Sequence, residues 1–231
     1  MPEMTTEDVR PIFSEERLED LKRLNEKTAE IASAQLAEKY GEAFIIVAMG
    51  NRLNMKSTTI VAAPVSKPDL VFTVWMDTEG MIQDDYASAR LLFQLERQIQ
   101  EALAGEGLPS AVNCVFPKKV KDESDLSLNL AELIHRYEEN RILCRIIMTE
   151  KTEKAVGVLE EISRNIPCGL MVHIYELAET AFDQCAKDFS VYPSVTDAMI
   201  RAYQPICTLF TLVENGMSDV DSSAPLEGKE G

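Results

Sequence analysis

The chain has 231 residues, 45% of them hydrophobic, enough to bury one sizeable core or two small ones and too apolar for a disordered polymer. Its formal net charge of -16 and sequence pI of about 4.6 set it against phosphate backbones and anionic lipid, so nucleic acid and membrane surfaces are excluded as partners. Residues 1–8 carry neither a basic nor an apolar signal region, and no window approaches the roughly 18 apolar residues of a membrane helix, so the expected location is cytoplasmic.

The first element is a long helix over 15–40, in which Leu18, Leu21, Leu24, Ile31, Leu36 and Tyr40 recur near helical steps among dense charge. Ser14 offers an N-cap and Gly41 a stop, and the charge marks it as a surface helix. Apolar runs at 44–49 and 58–63, the second closed by Pro64, read as strands. Gly50-Asn51-Arg52 turns the chain between them. A third run, Leu70 to Met76, is β-branched and aromatic, and the short connections predict an antiparallel meander.

The turn Asp77-Thr78-Glu79-Gly80 leads into the cleanest periodicity in the chain. Ser88, Leu91, Leu92, Leu95, Ile99 and Leu103 form one helical stripe, with Arg90, Glu96, Arg97 and Glu101 off it and free to face water. Asp84 and Asp85 stand where a carboxylate can cap the first turn, and Gly105, Gly107 and Pro109 end the helix. A fourth strand at 111–116 completes an α-β-β-β-α-β lobe over residues 1–116.

Residues 117–125 are polar, with Lys118, Lys119 and Lys121 followed by three acids, and read as a linker or surface loop. The second lobe spans 126–214. Leu126, Leu130, Leu133, Ile134 and Tyr137 mark a helix, and 142–148 and 168–175 are strands joined by a helix over 152–164, a spacing that makes them parallel. Helices at 179–189 and 195–203 and a strand at 206–213 complete it. Residues 215–231 have almost no large apolar side chain and read as a disordered acidic tail. A faint echo aligns 36–47 with 133–144, setting Tyr40 over Tyr137, as a duplicated lobe would.

Candidate chemistry is sparse. His135 lies off its helix stripe and reads as solvated. His173 sits in an apolar strand, as a core histidine or as a partner of Cys144 or Cys207 across neighbouring strands. Asp77, Glu79, Asp84 and Asp85 cluster at a strand-to-helix edge, where a carboxylate pair could serve acid–base work, although capping is the simpler role. The five cysteines are an odd number without metal or redox spacing, so free thiols are expected. No phosphate-cradling glycine loop, dinucleotide fingerprint, nucleophile elbow or paired-histidine helix is present, and no cofactor or metal is implied.

The sequence therefore predicts an α/β (α+β) protein, a mixed sheet covered by helices or two similar lobes. Its favoured job is a non-enzymatic interaction or regulatory role, holding a protein partner through acidic and helical surfaces. The alternatives are a metal-dependent or hydrolytic enzyme using Asp77, Asp84, Asp85 and His173, and a sensor that binds a small molecule between the lobes.

Overall fold

The computed structural model describes residues 15–50, 57–118, 120–138, 141–149 and 152–221, and it has an α+β fold of two sheets and six helices. The first sheet is antiparallel throughout, in the order β1 (Phe44–Met49), β2 (Ser57–Pro64), β3 (Phe72–Asp77) and β4 (Ile82–Asp84). The expected meander is there, extended by the three residues of β4. A bulge between Ile46 and Ala48 breaks the β1–β2 register.

Helix α1 (Glu15–Tyr40) packs its second half onto this sheet, with Ala32 and Leu36 fully buried against Ile60, Phe72 and Val74. Gly41, at φ +73°, donates its N–H to the Ala37 carbonyl and ends the helix, a left-handed position that glycine takes without strain. The first half of α1 is the more exposed, with residues 17–20 and 22–27 facing solvent. In the second half one face, Thr28, Ala32 and Leu36, is buried on the sheet, while Glu30, Ala34, Glu38 and Lys39 stay exposed on the other.

Helix α2 (Tyr86–Gly105) buries the expected stripe, Ser88, Leu91, Leu92, Leu95, Ile99 and Leu103. Leu108 N–H reaching the Leu103 carbonyl and Gly107 at φ +74° close its end. Strand β5 (Ser110–Val115), grouped with the first half in the sequence, is instead an edge of the second sheet, because α2 carries the chain across before β5 pairs with β6.

The second sheet runs β5, β6 (Arg141–Met148), β7 (Gly169–Glu176), β8 (Cys207–Glu214) and β9 (Met217–Asp221). Only β6 and β7 are parallel, joined through α4 (Thr152–Ser163) as the spacing predicted. One face packs against α2, α3 (Leu130–Tyr137) and α4. One end of the other face meets α5 (Glu179–Val191) and α6 (Asp197–Arg201). Helix α3 starts in a capping box between Asn129 and Glu132.

The tail was expected to begin at residue 215. Instead Glu214 pairs with Met217, leaving Asn215 (φ 51°) and Gly216 (φ +77°) as a two-residue hairpin turn into β9. Both central residues are left-handed, the conformation that makes Asn-Gly a hairpin signal. Ser14, Asn51, Arg52, Lys119 and residues 222–231 lie outside the described residues.

Candidate functional site

The acidic turn is structural. Asp77 Oδ1 accepts the N–H groups of Glu79 and Met81, both at 2.9 Å, and closes the β3–β4 hairpin on itself. Gly80 offers its carbonyl to Gln35 Nε2 at 2.8 Å, which ties the hairpin to α1.

Asp84 is fully buried, and of the two acids it is Asp84 that takes a first-turn N–H of α2, that of Tyr86, while Asp85, at the N-cap position, gives the helix no side-chain bond. Asp84 Oδ2 meets Lys39 Nζ at 2.7 Å, and its Oδ1 takes the Tyr40 hydroxyl at 2.6 Å and the Tyr86 N–H at 3.0 Å. The loop after β5 closes over it: Asp122 N–H donates to the Asp84 carbonyl at 2.8 Å, and Asp84 N–H returns to Asp122 Oδ1 at 3.3 Å. Burial, then the bond to Asp84, pushes the Tyr40 phenol far up from its ordinary value. Asp84 is thus a buried acceptor joining α1, β4 and the 120–123 loop.

Asp85 completes the β3 ladder. Its N–H donates to the Thr73 carbonyl at 3.1 Å while its Oδ1 takes the Thr73 N–H at 2.6 Å. The reason lies in α2: the Asp85 carbonyl is spent on the Ala89 N–H, so the side chain substitutes for it in the ladder.

His173 is opposite Arg145 on β6 and Phe210 on β8, so it meets neither Cys144, which faces Val172, nor Cys207, which faces Glu176. Its Nδ1 lies 3.1 Å from Asp197 Oδ1, which also accepts Arg145 Nε at 2.5 Å, and its ring stands edge-on to Phe210. Burial works to raise the Asp197 carboxyl, but the bonds from Arg145 and His173 outweigh it and hold the group below the usual carboxylate range. The Tyr175 hydroxyl is buried near the same carboxylate without completing a hydrogen bond. This cluster anchors α6 to the sheet. The enzyme constellation therefore does not assemble: Asp77, Asp84 and Asp85 serve the first sheet, and His173 serves the second. His135 is exposed, and the five cysteines are free thiols, four of them buried. Among the described residues no group of three His, Cys, Asp or Glu side chains is placed to hold a metal.

What the fold does build is a cleft of about 640 Å³ between the two sheets. Its floor is the side of α2 that carries Ala89, Leu92, Phe93, Glu96 and Arg97. One wall is the approach to β3 at Asp69, Val71 and Thr73, and the other is the free edge of β5. Phe189, Tyr192 and Pro193, at the end of α5 and just beyond, close the far side.

Glu96 is the unusual group in this cleft. The sequence placed it off the helix stripe and in water, and part of the residue is exposed. Its carboxyl is nevertheless turned inward onto the β5 edge, where Oε1 accepts the Cys114 N–H at 2.6 Å and lies 3.4 Å from Asn113 Nδ2. Burial pushes this carboxyl up to about 8, opposed only by the Cys114 bond, so it carries a proton at neutral pH. Asn113 also accepts the Val195 N–H at 3.0 Å, linking the β5 edge to the segment after α5.

The cleft thus offers a neutral carboxylic acid, an arginine, a strand edge and several aromatic walls, the mixture of apolar surface and few polar groups that small-molecule sites have. Sequence reasoning missed Glu96, Asn113, Arg145 and Asp197. One signal was legible, since Arg145 interrupts an otherwise apolar strand and so demands a buried acid.

No family model and no curated protein matches the chain. Among solved structures, it is similar to the crystal structure of a DUF5037 family protein from Ruminococcus gnavus ATCC 29149. The likeness has a TM-score of 0.63 at 16% identity and covers 84% of this chain and 94% of that one. At that identity it is the fold that is shared.

Proposed function

We propose that this protein is a non-enzymatic binding protein whose cleft between the two sheets holds a small molecule. The observation that carries this reading is the Glu96 carboxyl, turned inward onto the β5 edge and pushed up to about 8 by burial, in a cleft of about 640 Å³, within the range of roughly 300–1,000 Å³ typical of ligand pockets. An acid held neutral can donate a hydrogen bond to a ligand without the cost of burying a charge. Acid–base catalysis has weaker support, because the acidic residues of the β3–β4 turn are committed to backbone and lysine partners.

The test is a thermal-shift screen of a metabolite library against the wild type and Ala89→Trp, which fills the cleft from α2. A ligand at 100 times its dissociation constant stabilises by about 2.7 kcal/mol, a shift of a few degrees. Shifts seen in the wild type and lost in Ala89→Trp support the reading. Shifts that persist in the variant place the ligand elsewhere.

A protein partner is the second reading, favoured by the exposed first half of α1, where Leu18 and Leu24 are 44% and 43% exposed. Leu18→Lys with Leu24→Lys would leave the fold intact and abolish association with such a partner, while unchanged association would rule this surface out.

A further inference from the structure

The free edge of β5 carries a single complete pair of backbone groups. Cys114 N–H is bound by Glu96, and the Ser110 carbonyl accepts Gln100 Nε2 at 2.8 Å, so positions 110, 112 and 114 turn their backbone away from β6. The β6 side agrees: the Met148 carbonyl, opposite Ser110, faces β7 and takes the Leu177 N–H at 2.8 Å. In an antiparallel pair the bonded and non-bonded positions alternate, so 111, 113 and 115 make the ladder and Val112 presents both its N–H and its C=O outward. Val112 is 8% exposed and lines the cleft, and among the described residues neither the loop hydrogen bonds nor the side chains that reach this edge, Glu96, Gln100 and Asn113, bond its N–H or C=O. Nearly buried backbone groups are almost always paired.

We propose that Val112 pairs with one α-aminoacyl unit of the bound ligand, an N–H and a C=O separated by a single carbon. That is the spacing with which a residue opposite Val112 would exchange both bonds. A longer strand is excluded by α2, because Glu96 and Gln100 already occupy the backbone groups on either side that it would need. Leu92, Phe93 and Phe116 line the same cleft and suit a branched aliphatic side chain on the ligand. The inference rests on the reading of the cleft as a binding site and names the chemistry of what enters it.

The probe is N-acetyl-leucinamide, added to the full-length ¹⁵N-labelled protein and followed by ¹H–¹⁵N correlation spectra. The Val112 amide is expected to shift on addition, and the same molecule methylated on the leucine nitrogen, which lacks the donor, is expected to bind at least tenfold more weakly. Free leucine, run beside it, identifies whether the unit arrives as a blocked residue or as an amino acid. In Val112→Pro the donor is gone while every ladder bond to β6 remains, an edge position where proline is tolerated, and binding should be lost.

Shifts that avoid Val112 with both probes, equal affinity for the methylated probe, or full binding by Val112→Pro would each overturn the proposal. The methylated comparison uses the wild type and decides the matter even if the proline variant fails to fold. A library ligand that binds the cleft but contains no aminoacyl unit would leave the binding reading standing and remove this inference.

Discussion

Replacing Glu96 by Gln should make the protein more stable, by an amount that grows with pH. The carboxyl stands at about 8 in the folded protein, against 4.5 for an ordinary glutamate. Below pH 4.5 both the folded and unfolded chains hold the proton, and the wild type suffers no penalty. Between 4.5 and 8 the unfolded chain releases the proton and the folded one keeps it, so stability falls as pH rises. Above 8 both are ionised and the loss is complete.

At 1.36 kcal/mol per unit, the penalty reaches roughly 3 kcal/mol at pH 7 and roughly 5 kcal/mol at pH 9, upper limits because a buried charge relaxes its surroundings. Glutamine keeps the acceptor for the Cys114 N–H and cannot ionise. Urea unfolding of wild type and Glu96→Gln at pH 5, 7 and 9 should therefore give curves that nearly coincide at pH 5 and separate steadily above it. A constant difference across that range would refute the assignment of a neutral buried acid.

Asp84→Ala should destabilise by about 2–3 kcal/mol, well beyond the loss of about 1 kcal/mol expected of a helix cap, because Lys39 and the Tyr40 hydroxyl lose a fully buried acceptor; chemical denaturation measures it. Asp197→Ala strands the nearly buried Arg145 and should cost about 3 kcal/mol, most of which Arg145→Met on the same background should recover in a double-mutant cycle. Gly216→Ala places a Cβ 2.5 Å from Arg164 Nε at a left-handed position, and should lower stability by about 1–2 kcal/mol with faster amide exchange in β9. Removing residues up to 41 strips Ala32 and Leu36 from the first sheet, so the remainder should aggregate in light scattering.

Elements whose identity depends on their own periodicity were readable in the sequence. The α2 stripe and the β6–α4–β7 crossover follow from spacing alone, because the pattern of burial repeats within each segment. Features that depend on a distant partner were not. Asp85 sits at a capping position, yet it is drawn into a ladder with Thr73 that only the β3–β4 hairpin creates. Glu96 lies off the buried stripe, and the β5 edge, reached only after the chain turns back, encloses its carboxyl. Tyr40 and Tyr137, aligned by the internal echo, both point at Glu123, through its carbonyl at 3.3 Å and its Oε2 at 3.2 Å, a convergence no spacing reveals. The β8–β9 turn is the opposite case: Asn215-Gly216 is a strong local hairpin signal, obscured because the polar residues around it resemble a tail.

The most direct test of the central claim is a crystallographic fragment screen of the wild-type protein, which shows where small molecules settle without assuming their chemistry. Hits gathered between α2 and the β5 edge, touching Glu96 or Val112, are what a binding cleft predicts. Hits scattered over the surface, with that cleft empty across the library, would contradict it.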